Sequence, residues 1–392
     1  MPLRYANQFS VIYEPDGTSL ITIGDTANVG SAGDAANIGD TANTGDTGSA
    51  GNADADVSGN RSGLQRYLLV PEGMEAPSDL DADIVVLHQP LDCVYLAASS
   101  AMDFYRALGK LDQVRFTSTK ASDWSMEEVV LAMENGEILY AGKYSAPDYE
   151  WILSEEADIA IESTMIYHSP ETKEQLERLG IPVLVERSSY EKEPLGRLEW
   201  IKLYGLLGGF AEEADAFFEE EAGSLQDILF DTGKAASGRS AAFFYISPNG
   251  YAVVRRSTDY VAKMIEMAGG TYIPQDGGES EESALSTMNM EMESFFEAAR
   301  DADVIFYNSS IDTEITTMEE LLSKSSLLGN FRAVQNGEVW CTGKNLFQQV
   351  TCIAGMIREM NMILNQAVQG EDLTYFSPVV TNHWPYHGSK NR

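Results

Sequence analysis

Basic residues are scarce in this sequence of 392 residues. Lysine and arginine together number 26 against 61 aspartates and glutamates, which gives a formal net charge of −35. Clusters of lysine and arginine are what bind a phosphate backbone or an anionic membrane surface. We therefore expect neither nucleic acid nor a polybasic membrane contact among the partners of this protein.

Cysteines and histidines are also few. Cys93, Cys341 and Cys352 are scattered through the chain without a C-x-x-C pair, which favours buried thiols over a disulfide framework or a zinc site. Of the four histidines, His383 and His387 lie in a polar tail. We therefore expect no direct coordination of a bare metal ion by this chain.

Long apolar runs are missing as well. No stretch approaches the roughly 20 apolar residues that span a bilayer, and the amino-terminal residues lack the apolar segment of a signal peptide. The expectation is either a cytosolic protein or one whose export segment has been removed. With 44% hydrophobic and 10% aromatic residues, the chain is long and apolar enough for two globular domains.

The amino-terminal region changes composition abruptly. "FSVIYEPDGTSLITI" alternates around Pro15-Asp16-Gly17, which predicts a β-hairpin in residues 1–23. Residues 24–64 consist mostly of Gly, Ala, Asp, Asn, Ser and Thr, and "IGDTAN" occurs twice. A calcium-binding β-roll would need a strict nonapeptide period, which is absent, so we expect a flexible acidic insert. "RYLLVPEG" then predicts a third strand beside the hairpin.

Strands and helices alternate in two further regions. In residues 65–190, apolar runs such as "DIVVLH", "QVRFTS", "DIAIES" and "PVLVER" are separated by helical patterns. Residues 231–370 repeat this alternation with "SAAFFYIS", "DVIFYNS" and "GEVWCTG", before a tail at 371–392. Continuous apolar strands between helices are typical of a parallel α/β sheet. Residues 191–230, between the two regions, predict one long helix that begins at Pro194.

Three segments repeat one pattern, in which Ala-Asp precedes a short apolar run and small polar residues. They are "LDADIVVLHQP" at 80–90, "EEADIAIEST" at 155–164 and "ARDADVIFYNSS" at 299–310. We interpret each as the entrance to a sheet strand, and ligands of open α/β sheets bind beyond the carboxyl ends of such strands. The predicted fold class is therefore α/β, with two parallel-sheet, Rossmann-like lobes joined by one long backbone helix and a ligand cleft between them.

Four stretches within residues 80–365 carry a family resemblance. They are "PDYEWILSEEADIAI", "EKEPLGRLEWIKLYGLLGGFAEEA", "DYVAKMIEMAGG" and "MEMESFFEAARDADVIFYNS". On these stretches the sequence resembles the helical-backbone (class III) solute-binding proteins of ABC transporters, which serve importers of iron-siderophores, haem and cobalamin. The amino-terminal hairpin, the acidic insert and the missing lipoprotein signal depart from the pattern of that family.

The resemblance implies a function and a partner. It implies a monomeric, non-enzymatic solute receptor outside the cytoplasm, at the cell surface or in the periplasm, whose native precursor is lipid-anchored. Its partner would be the permease of an ABC importer, onto whose arginines one glutamate of each lobe docks. The family motif places these glutamates at Glu150 and Glu293. The spacing to the following Ala-Asp pair is longer in the second lobe, so Glu291 and Glu297 are alternatives there.

The predicted ligand-binding side chains are mostly cationic, aromatic and amide groups that follow the strands. In the first lobe they are Tyr95, Trp124, Lys143, Tyr144, Thr164, Tyr167, His168, Arg187 and Tyr190, and in the second lobe they are Tyr245, Tyr251, Arg255, Arg256, Asn308, Asn345 and Gln348. Arginine holds anions through a planar fork, and aromatic rings supply rigid, flat contact area. This set predicts an anionic, partly aromatic solute such as a ferric siderophore-like chelate, with no resident cofactor.

Other solutes are compatible with the same fold. Haem, a corrinoid or an oxyanion would need only different side chains beyond the same strands. His168 as an axial ligand of haem or cobalamin is one such alternative, although "YHSPE" also fits a histidine at the start of a helix. These alternatives stay open at the level of sequence.

Two other classes of protein agree less well with the sequence. A metal-cluster enzyme of nitrogenase-like layout would need cysteine ligands at lobe interfaces, and the chain has only three cysteines. There is also no G-x-S-x-G, no P-loop motif and no G-x-G-x-x-G after a strand. A carbohydrate or surface-adhesion module would need tryptophans along one face, but the five tryptophans are dispersed.

Overall fold

The chain folds into two compact units. The computed structural model describes residues 2–24, 64–231, 237–275, 286–311, 314–368 and 373–380. The first unit comprises the described residues up to Gly223 together with Gln348–Thr351, and the second comprises Ser224–Phe347 and the described residues from Cys352 onward. Residues 25–63 of the acidic insert predicted at 24–64, and most of the tail predicted at 371–392, lie outside the described residues.

The first unit begins with a four-stranded sheet of its own. Its strands, in the order β1-β2-β3-β4, are β1 Phe9–Tyr13, β2 Ser19–Ile23, β3 Gln65–Val70 and β4 Ile84–His88. The predicted hairpin is confirmed: Gly17 adopts a φ of +94°, and the Thr18 amide donates to Asp16 Oδ1 at 2.9 Å. β3 runs antiparallel to β2 and parallel to β4. "DIVVLH" therefore belongs to this sheet and not to the parallel sheet that we predicted for it.

The second sheet of the first unit is five-stranded and entirely parallel, in the order β11-β10-β5-β6-β7. Its strands are β5 Val94–Leu96, β6 Val114–Thr117, β7 Leu139–Tyr140, β10 Ile159–Ser163 and β11 Val183–Glu186, while β8 Gly142–Lys143 and β9 Ala146–Pro147 form a separate small hairpin. The helices between them are α1 Met102–Ala107, α2 Glu127–Glu134, α3 Tyr149–Ser154 and α4 Pro170–Arg178. Strands and helices alternate as the sequence predicts.

Side chains of β3 cover the outer edge of the parallel sheet. β11 is its edge strand, and its backbone groups would otherwise stay unpaired on that side. The Gln65 side chain donates to the carbonyl of Val185 at 3.1 Å and accepts from the amide of Val185 at 2.8 Å. The Tyr67 hydroxyl donates to the carbonyl of Val183 at 2.7 Å. The amino-terminal sheet is thus an integral part of the first unit.

Four consecutive helices follow β11. They are α5 Pro194–Glu199, α6 Ile201–Gly208, α7 Ala211–Ser224 and α8 Gln226–Asp231. The predicted helical connection is confirmed, but it is not one continuous helix. Gly209 has a φ of +84°, which is the left-handed conformation that ends a helix. The chain therefore turns between α6 and α7.

Close packing of α6 against α7 depends on Gly205. A Cβ atom at Gly205 would lie 2.3 Å from the Ala214 Cβ, so Gly205→Ala is expected to lower the free energy of unfolding by about 2 kcal/mol. Gly223→Ala is the matched control, because a Cβ there meets nothing within 4 Å and alanine favours a helix by up to about 1 kcal/mol. Urea unfolding measures both changes. Equal effects of the two substitutions would contradict this account.

The second unit is built on a seven-stranded mixed sheet in the order β15-β13-β12-β16-β17-β18, with β14 also paired to β12. Its strands are β12 Ser240–Ile246, β13 Ala252–Arg255, β14 Thr271–Ile273, β15 Thr287–Met290, β16 Val304–Tyr307, β17 Val339–Thr342 and β18 Phe376–Pro378. Its helices, after α8, are α9 Tyr260–Met267, α10 Met292–Ala299, α11 Met318–Lys324, α12 Arg332–Asn336 and α13 Ile353–Leu364. The predicted α/β fold class with two parallel-sheet lobes is thereby confirmed.

The described part of the predicted tail is not structureless. β18 pairs antiparallel with β17, so residues that we assigned to a tail form an edge strand of the second sheet. No helix among the described residues combines the length and the apolar character that crossing a membrane requires.

The repeated Ala-Asp pattern has a common structural basis in the two units. Before β10, Asp158 Oδ2 accepts from the amides of Asp92 and Cys93 at 3.0 and 2.8 Å. Before β16, Asp303 Oδ2 accepts from the Ser240 amide at 2.9 Å. Each aspartate therefore ties the entrance of its strand to the entrance of the neighbouring parallel strand. This explains why the same residue type recurs at the same place in both sheets.

Candidate functional site

The carboxyl ends of the parallel strands of the first unit bring several predicted residues to one edge. Thr164 directly follows β10, and Arg187 directly follows β11. Tyr167 and His168 lie in the 3-10 turn Thr164–His168, and both side chains are exposed. This edge is where ligands of parallel sheets bind.

Arg187 is a cation without a carboxylate partner among the described residues. Its Nε donates to Gln8 Oε1 at 3.1 Å, and its guanidinium carbon lies 4.3 Å from the centroid of the Tyr190 ring. No carboxylate oxygen of the described residues lies within 4.0 Å of its nitrogen atoms. Arg66 and Arg106, by contrast, are paired with aspartates at 2.9 and 2.7 Å. In a chain with 61 acidic and 26 basic residues, an arginine without such a partner is a candidate contact for an anion.

Tyr167 is a second tyrosine that interacts with Arg187. Its ring is 51% exposed. Partial burial raises the pKa of its hydroxyl, and the positive charge and hydrogen bonding of Arg187 act against that rise. We call Tyr167, Arg187 and Tyr190 the arginine–tyrosine cluster. It offers one guanidinium and two aromatic rings, a combination suited to an anionic solute with flat surfaces.

Two aromatic residues of the predicted site are buried. The Tyr95 side chain is 0% exposed and belongs to the hydrophobic core around β10 and β11, and Tyr95 lies within β5 and not after a strand as predicted. Trp124 is 7% exposed, and its indole Nε1 has no hydrogen-bond partner among the described residues. Lys143 and Tyr144 lie in the β8–β9 hairpin, where Lys143 is exposed and Tyr144 is half-buried.

Gln348 is hydrogen-bonded within the first unit, and its predicted solute contact stays a prediction. Its Oε1 accepts from the amide and the hydroxyl of Ser125 at 2.8 and 2.7 Å, and its Nε2 donates to the carbonyl of Asp123 at 2.9 Å. All of its polar atoms are thus engaged within the first unit. In the same segment, the amide and the hydroxyl of Thr351 both donate to Asp103 Oδ2 at 2.7 Å. These bonds hold Gln348–Thr351 on the first unit.

A buried carboxyl group near the carboxyl end of β10 was not predicted. Glu162 is 0% exposed, and neither carboxyl oxygen forms a hydrogen bond with any described residue. Burial raises the pKa of Glu162 to about 8. The hydroxyl of the neighbouring Tyr95 also has no hydrogen-bond partner among the described residues. A glutamate inside the apolar run "DIAIES" was the available signal in the sequence.

The second unit has a surface cavity of about 560 Å³ beyond the carboxyl ends of β12 and β16. Its lining residues are Tyr245, Ile246, Ser247, Pro248, Gly250, Ile311, Ser323 and Lys324. Tyr245 was predicted for the site, whereas Ile311, Ser323 and Lys324 were not. The Ile311 side chain is 57% exposed, so the cavity combines an apolar wall with hydroxyl groups and an ammonium group. Tyr251, which precedes β13, is half-buried.

The arginine at the end of β13 is engaged internally. Arg255 is 8% exposed, its Nη1 lies 3.6 Å from Asp259 Oδ2, and its guanidinium carbon lies 4.8 Å from the centroid of the Phe347 ring. Its charge is compensated by Asp259, and the predicted solute contact of Arg255 stays a prediction. Asp259 also caps α9, accepting from the Val261 amide at 2.9 Å. Arg256 is half-buried, and its amide donates to the carbonyl of Ser286.

The structure describes the side chain of Asn308 but not that of Asn345. Asn308 is 2% exposed, and its Oδ1 accepts from the amide of Ser310 at 3.2 Å in a local turn. Asn308 is therefore a turn residue, and its predicted role as a solute ligand stays a prediction. The side chain of Asn345 lies outside the described residues, so its role stays a prediction.

The predicted docking glutamates are exposed. Glu150 lies in the first turn of α3, and Glu293 lies in the first turn of α10. The alternatives Glu291 and Glu297 are exposed as well. Their role in docking stays a prediction.

Comparison with known proteins identifies the family. A family profile described as periplasmic binding protein matches residues 94–346. The chain belongs to this family. The matched region begins at β5 and ends in the turn after β17, so the sheet β1–β4 precedes it.

Individual relatives of this periplasmic binding protein are distant. An uncharacterized lipoprotein of Methanocaldococcus jannaschii is 24% identical over 315 residues, which cover 77% of this chain and 72% of the relative. A periplasmic haem-binding protein of Pseudomonas aeruginosa superposes with a TM-score of 0.56 at 16% identity, covering 73% of this chain and 96% of the other. A periplasmic catecholate-siderophore-binding protein of Vibrio cholerae gives 0.53 at 14% identity, covering 70% and 94%. These structures show a shared fold.

Proposed function

We propose that the protein is the extracytoplasmic receptor of an ABC importer and that it binds a ferric siderophore-like chelate. The arginine–tyrosine cluster carries this proposal. Its guanidinium has no carboxylate partner among the described residues, and two tyrosine rings lie beside it. The exposed edge of a guanidinium forms strong, paired hydrogen bonds to anionic oxygen atoms.

The chemistry of catecholate chelates fits this cluster. A ferric tricatecholate is anionic and presents flat aromatic rings, so it can bond to Arg187 and stack on Tyr190. Structural neighbours of the same fold are described as binding haem and a catecholate siderophore. Haem, which carries two carboxylates, is therefore the main alternative solute, and a corrinoid or an oxyanion would be others.

The proposal includes a permease as the partner. Glu150 and Glu293 would dock on cationic groups of the membrane protein, since both are exposed on the first turns of helices. The family and the lipoprotein relative support a location outside the cytoplasm. The function is the delivery of a solute and does not involve catalysis.

Titration of intrinsic tryptophan fluorescence, supported by calorimetry, tests the proposed function. The solutes are a ferric tricatecholate, haem, cyanocobalamin and molybdate. We expect saturable binding of the ferric tricatecholate with a Kd of about 1 µM or below, which corresponds to about −8 kcal/mol. Saturable binding of haem alone would correct the solute but keep the receptor. The absence of binding for all four solutes in both measurements would overturn the proposal.

A further inference from the structure

The amino-terminal segment is fixed by two buried carboxylates. The backbone amides of five consecutive residues, Arg4 to Gln8, donate to Glu199 or Glu191 at 2.8–3.0 Å. Glu199 is 0% exposed and Glu191 is 2% exposed. Charge-assisted hydrogen bonds in a buried setting are short and strong. The segment is therefore held in one conformation against the start of the helical connection.

Glu191 and Glu199 also interact with side chains outside the segment. Glu191 Oε1 also accepts from the indole Nε1 of Trp200 at 3.0 Å, and Glu199 Oε1 lies 3.6 Å from the ammonium group of Lys202. Burial raises the pKa of Glu191, while the bonds from Trp200 and the amino-terminal amides act against the rise. Neither carboxylate is left to pair with Arg187. Both carboxylates are thus engaged in holding the segment.

Gln8 is the residue of this segment that reaches the arginine–tyrosine cluster. Its amide is fixed by Glu191 at 2.8 Å, and its side-chain Oε1 accepts from Arg187 Nε at 3.1 Å. Tyr190 covers one face of the same guanidinium. Nε and one face of the Arg187 guanidinium are thus engaged, and the Tyr167 hydroxyl is a further hydrogen-bonding neighbour of the same group. The N–H groups of Arg187 that these neighbours do not use are the part of the cation available to an anionic solute, and guanidinium N–H groups bind anionic oxygens strongly.

We infer that the amino-terminal segment completes the solute site and that Gln8 is a positioning residue for Arg187. The inference rests on the proposed function and concerns a residue outside the region that the family profile matches, 94–346. A neutral amide is essential to this role. It orients the guanidinium by accepting one hydrogen bond and leaves its positive charge uncompensated. A carboxylate in the same place would orient Arg187 equally well but would cancel the charge that attracts the anion.

The test compares two substitutions of Gln8 with a control of equal charge. Gln8→Met keeps the volume but removes the acceptor, and we expect it to weaken binding of a ferric tricatecholate about 10-fold. Gln8→Glu keeps the acceptor but neutralises Arg187, and we expect it to weaken binding about 50-fold. Gln175→Glu adds the same charge within α4 of the same unit, and we expect a change of less than twofold.

A measurement without solute separates positioning from general destabilisation. The NMR signal of the Arg187 Nε–H group reports the hydrogen bond to Gln8 directly. We expect it to shift in Gln8→Met and to stay hydrogen-bonded in Gln8→Glu, with melting temperatures close to that of the wild type. The order of affinities, wild type above Gln8→Met above Gln8→Glu, is the signature of positioning combined with charge.

The outcomes distinguish this inference from the proposed function. A wild-type protein that binds none of the four solutes overturns the proposed function and this inference with it. A wild-type protein that binds the tricatecholate as tightly as both Gln8 variants overturns the inference alone. Equal weakening by Gln8→Glu and Gln175→Glu would also overturn it, because long-range charge alone would then account for the effect.

Discussion

Arg187→Ala is expected to weaken binding of a ferric tricatecholate about 100-fold. The substitution removes the cation of the arginine–tyrosine cluster and with it the paired hydrogen bonds to the anion, which are worth about 2–3 kcal/mol. The free energy of unfolding should change little, because Arg187 forms no ion pair with a described residue. Its side chain forms a hydrogen bond to Gln8. Calorimetric titration of wild type and variant gives the ratio of the two dissociation constants.

Two further variants make this result specific. Arg187→Lys keeps the charge but not the planar fork, so we expect an affinity between those of the wild type and Arg187→Ala. Arg178→Ala is the matched control, because Arg178 lies in the same unit, is 66% exposed and pairs with Glu174 at 2.8 Å on the surface of α4. Its effect on binding should be less than twofold. If Arg178→Ala and Arg187→Ala weakened binding equally, the cluster would not be the solute site.

Glu162→Gln is expected to stabilise the protein in a pH-dependent manner. The pKa of Glu162 rises from its ordinary value of 4.5 to about 8 because the carboxyl group is buried and forms no hydrogen bond with a described residue. A raised pKa means that the folded state favours the protonated form. The stabilising contribution is therefore complete below pH 4.5 and is lost as the pH rises through about 8. Glutamine does not titrate, so the stability of the variant does not fall with pH in this way.

The expected difference between wild type and Glu162→Gln grows with pH. It is near zero at pH 4.5, about 3 kcal/mol at pH 7 and about 5 kcal/mol above pH 9. Urea unfolding at a series of pH values measures it. Glu171→Gln is the control, because Glu171 is an exposed carboxylate at the start of α4 and its replacement should change stability little at any pH. A stabilisation by Glu162→Gln that did not vary with pH would refute the assignment of a buried, protonated carboxyl group.

Strand ends could be predicted where a strand was long and apolar. "DIAIES" and "PVLVER" form β10 and β11, so Thr164 and Arg187 were correctly placed beyond their carboxyl ends. Tyr95 was misplaced because the sequence has two apolar runs in succession, and periodicity does not indicate which of them joins the parallel sheet. The longer run became β4 of the amino-terminal sheet, whereas Tyr95 lies within the three-residue strand β5.

The positions of charged residues could be predicted better than the ion pairs that those residues form. An arginine after a strand is visible in the sequence, but its ion-pair partner depends on the turn that follows. Asp259 neutralises Arg255, whereas no described carboxylate reaches Arg187. Gln8 was missed altogether because it lies 179 positions before Arg187, and only the fold brings the two together. Contacts of such long range carry no local signal.

The segment Gln348–Thr351 has a consequence for synthesis of the protein on the ribosome. The carboxylate of Asp103, 0% exposed, receives two hydrogen bonds at 2.7 Å from Thr351, 248 positions later in the chain. Until that residue emerges from the exit tunnel, the first unit lacks part of its own interior and holds a buried acid without those donors. We therefore expect the first unit to gain these two hydrogen bonds only after almost the entire chain has been translated.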